Sequence, residues 1–409
     1  MFKIESSNIS TTKDQLADYK SRQQELLANQ PPYARVFSDP RMWDEVEAEV
    51  ARIQSRSKHL VVIGMGGSSL GAKALTALQD SPEQPTKVHF IDTIDPDHIH
   101  AVLNHVDFES THWFAASKSG STLETLSILE YCVRLCQSKK VYDPKAYTVI
   151  TTNQDSPIRQ WAESQQIQIL EIPADLSGRF SVFSPIGLIP VGCSGIPLSQ
   201  VRAGLTQVCE SPDVVAQLFA LLVQAHNQTD SKLLIQWIYA DRLMQFGYWF
   251  QQLWAESLGK AKTRTGSQAP FVAEPYCLRG VSDHHSVLQQ IAEGPTDKII
   301  CFLEVDQQTS LPVIEQDSLF QPAILPRLEQ INDLRKIQAA ANRASLEEKG
   351  LSCFRIQLES LSAKSLTELM LSFEFAVQLF SDEIDVDTFN QPGVEDYKIR
   401  TKAILKDQA

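Results

Sequence analysis

The fold is indicated first by the segment Leu60-Val61-Val62-Ile63-Gly64-Met65-Gly66-Gly67-Ser68-Ser69-Leu70. Its first four residues are apolar and mostly β-branched, as in a buried strand, and a helical pattern begins near Leu70. Four of the chain's 17 glycines lie at this junction, between positions 64 and 71. Glycines between a strand and a helix let the backbone approach a ligand, and the helix N-terminus favours an anion. The segment therefore predicts a phosphate-binding loop, a dinucleotide-binding turn or tight strand–helix packing alone; a dinucleotide fingerprint would place its third glycine at Ser69.

Similar apolar runs recur along the first half of the chain, with helix-like segments between them. They cover residues 60–63, 88–91, 113–116, 147–150 and 167–170. Alternation of apolar strands and helices is typical of a parallel sheet that is covered by helices on both faces. It predicts an α/β domain over residues 45–195.

The second half has a helical pattern over residues 196–265, including the stretch from Ser231 to Leu258, and then alternates again. Strand candidates lie at 299–303 and 354–356, and a capping box at Ser365–Glu368 predicts the start of an amphipathic helix. The predicted divisions are a helical N-terminal arm (1–44), a first domain (45–195), a helical connection (196–230), a second domain (231–375) and a C-terminal segment (376–409).

The composition excludes several classes of protein and partner. Apolar residues make up 43% of the chain, charged residues 21%, and the net charge is −13, so we expect a folded domain protein that binds no nucleic acid. The seven cysteines form no C-x-x-C pair, which is typical of free thiols in a reducing compartment. The N-terminus lacks a signal-peptide pattern, and the longest apolar stretch (181–193) is too short to span a membrane. We expect a cytoplasmic protein without a membrane partner.

A second loop between a strand and a helix reads Ser117-Lys118-Ser119-Gly120-Ser121-Thr122. Its four hydroxyls and one lysine converge where a helix exposes unpaired N–H groups, which suits a phosphate monoester. The alternative is a helix N-cap with a solvated lysine, for which one hydroxyl would suffice. The abundance of hydroxyls favours the ligand.

Further residues suit catalysis by their type but are ambiguous one at a time. Glu256 lies at the end of a largely apolar helix, where a carboxylate is either a general base or a solvated charge. Arg179 and Lys398 are each typical of an exposed surface residue. His284 and His285 are adjacent, and no carboxylate–histidine cluster completes a metal shell around them, so we expect no metal site.

Taken together, these segments resemble the glucose-6-phosphate isomerase (phosphoglucose isomerase) family. They occur in the family's order and span nearly the whole chain, from Val61 to Lys398. The segments that carry the resemblance are Gly64–Ser68, Ser117–Thr125, Gly178–Val182, Ala255–Lys260 and Gln391–Glu395, with Asp283–Ser286 as a sixth. Each segment by itself is weak evidence for the family, and the resemblance rests on all of them occurring in the family's order.

The resemblance implies a fold, an activity and an assembly. The fold is two sugar isomerase (SIS) domains, each a parallel sheet in a three-layer αβα sandwich. The activity is an aldose–ketose isomerase that interconverts D-glucose 6-phosphate and D-fructose 6-phosphate through a cis-enediolate, in glycolysis and gluconeogenesis. The assembly is a homodimer that uses no cofactor.

It also implies a role for individual residues. Glu256 resembles the base that moves a proton between carbons 1 and 2 of the open-chain sugar, and Arg179 resembles the cation that faces the enediolate. His285 matches the residue that opens the sugar ring from the neighbouring subunit, with Lys398 assisting. The remaining matches bind substrate: Ser117, Lys118, Ser119 and Thr122 around the phosphate, with Gln252 nearby, and Gly67, Ser68 and Gln391 along the sugar.

The chain departs from the family pattern beside the site. Asn390 replaces a common aspartate, and His284 replaces a common glutamine, which leaves open which of the two histidines opens the ring. A non-catalytic sugar-phosphate sensor is disfavoured by the presence of Glu256 and Lys398, and a nicotinamide dehydrogenase is disfavoured by Ser69. Mannose 6-phosphate remains open as a further substrate, because epimers at carbon 2 share one enediolate.

Overall fold

A computed structural model describes residues 2–6, 12–79, 81, 83–228, 231–307 and 331–408. These residues form ten strands and fifteen helices, with short 3-10 turns between some of them. The strands are β1 (Lys3–Ser6), β2 (His59–Ile63), β3 (Lys87–Ile91), β4 (Thr111–Ala116), β5 (Tyr147–Ile150), β6 (Gln168–Leu170), β7 (Leu233–Ile238), β8 (Glu274–Arg279), β9 (Lys298–Gln307) and β10 (Ser352–Ser360). The helices are α1 (Lys13–Ala28), α2 (Pro32–Ser38), α3 (Pro40–Gln54), α4 (Leu70–Thr76), α5 (Pro96–Asn104), α6 (Leu123–Ser138), α7 (Pro157–Ser164), α8 (Pro185–Cys193), α9 (Leu198–Glu210), α10 (Pro212–Gln228), α11 (Met244–Leu258), α12 (Leu288–Glu293), α13 (Ile331–Glu348), α14 (Ala363–Glu383) and α15 (Glu395–Gln408).

The first sheet has the strand order β3-β2-β4-β5-β6, and every pair of neighbours is parallel. These are the five strands that the apolar runs predict, and their bounds agree to within two residues. Ile63 pairs with Ala115, so β2 and β4 end side by side. The glycine loop after β2 and the hydroxyl loop after β4 therefore lie together at the carboxyl edge, where open α/β sheets bind their ligands.

The second sheet has the order β1-β10-β9-β7-β8. Its neighbours are parallel except for β1, which runs antiparallel to β10. The segment predicted as a helical arm thus contributes a four-residue edge strand in addition to α1 and α2. The sequence gives no sign of this strand, because the pairing depends on β10, which lies more than 340 residues away.

The helical prediction for Ser231–Leu258 is wrong over its first part. Leu233–Ile238 is the strand β7, buried between β8 and β9, and only Met244–Leu258 is helical. Leu234 and Ile238 are four residues apart, a spacing that puts two side chains on one face of a strand as well as of a helix. The apolar pattern also gives no strand at the position of β8, which pairs with β7.

One hydrophobic core is shared by the inner faces of both sheets, and each sheet has a smaller core on its other face. Helix α14 lies in the shared core and packs against α9, α10 and α11. The sequence predicts an amphipathic helix from Ser365, but α14 begins at Ala363, with Ser362 as its N-cap, and is buried on nearly all sides. It continues without a break past residue 375, where the sequence divides the second domain from the C-terminal segment.

Among the described residues, no single helix is long and apolar enough to cross a membrane. Helices α9 and α10 reach that length and hydropathy only as a pair, and the pair is bent by 73°.

Candidate active site

The glycine loop packs directly against the turn that carries Arg179. A Cβ atom on Gly67 would overlap the backbone of Gly178, so only glycine permits this approach. Gly66 has φ +54°, and a Cβ there would lie 2.8 Å from Nε2 of Gln252 on α11. The loop therefore joins the end of β2 to α11 and to the 178–180 turn. Ser68 closes the turn after β2 and remains partly exposed.

Arg179 is buried, and its guanidinium group is fully engaged. Nε donates to Oε2 of Glu256 at 2.9 Å, and Nη1 donates to the carbonyl oxygens of Glu256 (2.9 Å) and Thr388 (2.7 Å). Nη2 donates to Oε1 of Gln391 at 3.1 Å. Burial lowers the pKa of Arg179, and the charge of Glu256 opposes that shift. An arginine remains charged under such conditions, so the site contains a fixed cation.

Glu256 is held from two sides. Its Oε2 accepts the hydrogen bond from Arg179, and its Oε1 accepts one from Nε2 of Gln252 at 3.1 Å. The side chain keeps 30% of its accessible surface, so the carboxylate is oriented by the protein and still open to a ligand. A carboxylate beside a fixed cation can take a proton from carbon while the cation stabilises the resulting anion.

The hydroxyl loop begins directly after β4. Ser117 and Thr122 are hydrogen-bonded through their hydroxyls at 3.0 Å, whereas Ser119 is exposed. Thr122 occupies the N-cap position of α6, yet its side chain makes no capping hydrogen bond. A hydroxyl that served as an N-cap would accept one from the backbone, so this geometry favours the ligand interpretation over the capping one. Gly120 has φ +64°, and a Cβ there would overlap the side chain of Ser156.

Lys118, in the hydroxyl loop, is a second cation near the carboxyl edge of the first sheet. It is partly buried, and burial lowers its pKa, as does the charge of Arg179, while Asp175 opposes the shift. The two cations are thus close enough to influence each other. Together they place positive charge at the carboxyl edge of the first sheet, within a chain whose net charge is −13. Such a pocket can hold an anionic ligand against the overall field.

The two adjacent histidines lie in the 3-10 turn that follows β8, and they differ in environment. The Nε2 atom of His284 is 2.7 Å from the hydroxyl of Tyr239 and 3.2 Å from Nδ2 of Asn342. Burial lowers the pKa of His284. His285 is exposed. Among the hydrogen bonds and ion pairs of the described residues, none joins either histidine to Glu256 within the chain.

The C-terminal segment carries two of the predicted site residues, and only Gln391 contacts the other site residues within the described part of the chain. Gln391 accepts a hydrogen bond from Arg179 through its Oε1. Lys398 lies on the exposed helix α15, where its Nζ is 2.8 Å from Oε1 of Glu395. The structure therefore groups Glu256, Arg179, Gln252 and Gln391 in direct contact, and it places Lys398 in an ion pair of its own helix.

The structure also shows participants that the sequence analysis did not assign. Lys260 donates to the carbonyl oxygens of Glu256 (2.6 Å) and Asn390 (2.5 Å), and Arg179 donates to the same two oxygens. Thr388 contributes only its backbone oxygen. Lys260 lies in the segment Ala255–Lys260, which carries part of the family resemblance, whereas a backbone acceptor leaves no trace in residue type.

The geometry after β2 also bears on cofactor binding. Asp92, directly after β3, would be the ribose-binding carboxylate of a dinucleotide-binding fold, although it comes later in the chain than that fold usually places it. Its Oδ2 is 2.9 Å from Nζ of Lys73 and accepts from the hydroxyl of Ser69 at 3.3 Å. The carboxylate is thus committed to protein contacts. Among the described residues, no group of three or more histidine, cysteine or acidic side chains is arranged to hold a metal ion.

Comparison with known proteins identifies the family. A sequence profile described as phosphoglucose isomerase matches residues 50–409 of this chain. The chain belongs to the phosphoglucose isomerase family. The glucose-6-phosphate isomerase of Rubrobacter xylanophilus is 31% identical over 394 residues, which cover 90% of this chain and 88% of the relative. A glucose-6-phosphate isomerase of Thermus thermophilus is 30% identical, with 84% and 83% covered.

Two solved structures have the same fold as this chain. A hypothetical protein from Thermus thermophilus superimposes with a TM-score of 0.86 at 26% identity, covering 99% of this chain and all of the other. A glucose-6-phosphate isomerase from Chlamydia trachomatis gives a TM-score of 0.81 at 20% identity, covering 100% and 89%. These likenesses and the two helix-flanked sheets confirm the predicted α/β sugar isomerase fold.

Proposed function

We propose that this chain is an aldose–ketose isomerase that interconverts D-glucose 6-phosphate and D-fructose 6-phosphate. The observation that carries the proposal is the carboxylate of Glu256, fixed between Arg179 and Gln252 and still partly exposed. Family relatives bear the name of this activity. The reaction would serve glycolysis and gluconeogenesis.

Glu256 acts as the base in this mechanism. It removes the proton from carbon 2 of the open-chain aldose, the carbon–hydrogen electron pair forms a carbon 1–carbon 2 double bond, and the carbonyl oxygen at carbon 1 becomes negative. In the resulting cis-enediolate a proton passes from the oxygen on carbon 2 to the oxygen on carbon 1. The carbon–carbon double bond then takes the proton of Glu256 at carbon 1, and carbon 2 becomes the carbonyl. The sugar is neither oxidised nor reduced overall, so the chemistry calls for no cofactor. A positioned base of this kind contributes about a hundred- to ten-thousand-fold in rate.

Arg179 lies where charge moves during that step. Protonation of Glu256 removes the negative charge that faces Nε of Arg179, and an equal charge appears on the sugar oxygen. A cation held by five backbone and side-chain acceptors needs little reorganisation to follow this change. Preorganised charge of this kind stabilises a transition state more than mobile solvent does.

The hydroxyl loop binds the phosphate group in this proposal. Ser117, Ser119 and Thr122 supply hydroxyls at the start of α6, and Lys118 supplies the positive charge. Gly67 and Ser68 border the sugar. The phosphate is remote from the reacting carbons, and its binding energy orients them toward Glu256.

We also propose that the site is completed by a second copy of the chain in a homodimer. His285 is exposed within one chain, and His284 is engaged by Tyr239 and Asn342, which supports His285 as the residue that opens the ring of a sugar held by the partner. Lys398, exposed on α15, assists from a helix that packs little against its own chain.

The organisation proposed for the chain is a first sugar isomerase domain at 45–195 and a second at 231–375, joined by 196–230 and flanked by 1–44 and 376–409.

The location we propose is the cytoplasm. Seven free cysteines, five of them buried, are typical of a protein that folds in a reducing compartment.

The test is an assay of fructose 6-phosphate conversion without added metal or nucleotide, on the wild type and on Glu256→Gln. Glutamine keeps the shape and removes the base, so kcat should fall at least about a hundredfold with little change in KM. Glu130→Gln, at an exposed position on α6, is the matched control and should retain full activity. Near-normal turnover by Glu256→Gln would rule out Glu256 as the base.

A further inference from the structure

Lys260 joins two segments that carry the candidate active site. It follows the C-terminal end of α11, and its Nζ donates to the carbonyl oxygen of Glu256 at 2.6 Å and to that of Asn390 at 2.5 Å. The first bond caps the helix that bears the proposed base. The second reaches the segment that continues into Gln391, which contacts Arg179.

The backbone before Lys260 is shaped for this contact. Gly259 ends α11 with its N–H bonded to the carbonyl oxygen of Ala255, and a Cβ there would lie 2.7 Å from that oxygen. The glycine allows the chain to turn sharply enough for Lys260 to reach back to the carbonyl four residues earlier. A lysine at this position also interacts favourably with the negative end of the helix.

The charges around Lys260 come from three segments. Glu256 faces it from α11, Arg179 from the 178–180 turn, and Asp387 from the segment after α14. Arg179 donates to the same two carbonyl oxygens, so two cations are bridged by two shared acceptors. Burial, together with the charge of Arg179, lowers the pKa of Lys260 to about 8, while the two carboxylates oppose the shift.

We propose that Lys260 is a positioning residue for the isomerisation: its ammonium group fastens the end of α11, which carries Glu256, to the segment that carries Asn390 and Gln391. This inference rests on the proposed function and adds to it. Both hydrogen bonds of its Nζ end on backbone oxygens. It acts through Glu256 and Gln391, whose spacing across Arg179 it sets.

A positioning role of this kind depends on the charge of the lysine. Hydrogen bonds from an ammonium group are about twice as strong as those from a neutral donor, so loss of the proton weakens both contacts. The fraction of charged Lys260 falls as the pH rises through about 8. We therefore expect kcat to decline over that range because Glu256 and Gln391 are less firmly held, whereas loss of charge on Lys118 would act on phosphate binding and appear in KM.

The experiment measures kcat and KM between about pH 6.5 and about pH 9.5 for the wild type, Lys260→Met and Lys260→Arg. The methionine variant should lose at least about tenfold in kcat, with a smaller change in KM, and should lack the alkaline decline near pH 8. The arginine variant keeps the charge at every pH in the range, so it should recover part of kcat and also lack the decline. Lys262→Met, two residues further on and exposed, is the matched control and should behave as the wild type.

Two results would overturn the inference while leaving the proposed function intact. One is unchanged kcat in Lys260→Met. The other is lower kcat with the alkaline decline still present in Lys260→Met or Lys260→Arg, which would assign the decline to another group and leave Lys260 a purely structural role. If Lys260→Met does not fold, the pH profiles of kcat for the wild type and Lys260→Arg are sufficient to test the inference. A wild type that does not isomerise fructose 6-phosphate would overturn the proposed function, and this role for Lys260 with it.

Discussion

Arg179 binds Glu256 twice, through Nε to the carboxylate Oε2 and through Nη1 to the main-chain carbonyl, with both distances 2.9 Å. One guanidinium group therefore fixes the side chain of Glu256 relative to its own backbone. A planar donor with five N–H groups can do this, whereas a single ammonium cannot make the same set of contacts. The relationship explains why a buried arginine is placed at the end of α11.

Arg179→Lys should reduce kcat by about a hundredfold or more, although the positive charge is retained. Lysine would leave acceptors at Glu256, Thr388 or Gln391 unpaired and would hold the carboxylate at one point only. Steady-state kinetics with fructose 6-phosphate measure the effect, and Arg134→Lys, on the exposed side of α6, is the control. Full turnover by Arg179→Lys would contradict a geometric role for the guanidinium group.

Replacing Ser117, Ser119 and Thr122 together by alanine should weaken inhibition by sugar phosphates at least about tenfold. The lost hydrogen bond between Ser117 and Thr122 should cost only about 1 kcal/mol of stability, because a typical intramolecular hydrogen bond contributes that much. Inhibition constants and thermal unfolding are measured side by side. Ser138→Ala, near the end of α6, serves as the control. Unfolding with unchanged affinity would support the capping interpretation of the loop.

Mixed dimers test whether the site is shared between chains. Glu256→Ala and His285→Ala chains, each inactive alone, are refolded together in equal amounts and assayed. If one chain supplies Glu256 and its partner supplies His285, about half the dimers are mixed and about a quarter of all sites are intact. If no activity returns although mass measurements confirm mixed dimers, His285 acts in its own chain's site or in none.

Glu374 predicts a pH dependence of stability. It is fully buried on α14, and neither carboxylate oxygen has a hydrogen-bond partner among the described residues. Burial raises its pKa well above the ordinary value of 4.5. At pH values between 4.5 and its native pKa, the carboxyl group therefore keeps its proton in the folded state and releases it on unfolding. Native stability contributed by this group is full below pH 4.5 and falls by about 1.4 kcal/mol per pH unit above it, until the pH passes the native pKa.

Glu374→Gln removes this titration, so the melting temperature of the variant minus that of the wild type should increase as the pH rises above about 5. Thermal unfolding at several pH values measures the difference, and Glu359→Gln, at an exposed position, should show none. A difference between Glu374→Gln and wild type that stays constant with pH would show that Glu374 is charged in the native state or partnered there.

Local sequence was sufficient to predict the structural features that are formed by residues close together in the chain. The five strands of the first sheet follow from short apolar runs, and the two loops that end β2 and β4 follow from glycines and hydroxyls at strand–helix junctions. Their place at one sheet edge follows too, because parallel strands end side by side. Family resemblance then selected Glu256, Arg179 and Gln391, three residues that the structure joins by hydrogen bonds.

Tertiary structure decided everything that depends on residues far apart in the chain. Strand β1 forms by pairing with β10. Strand β7 is a strand because it pairs with β8 and β9 and is buried between them, although its residue spacing also fits a helix. His284 and His285 are equivalent as sequence neighbours, yet only His284 meets Tyr239 and Asn342. The contacts of Lys260 end on backbone oxygens, which every residue possesses and no sequence pattern marks.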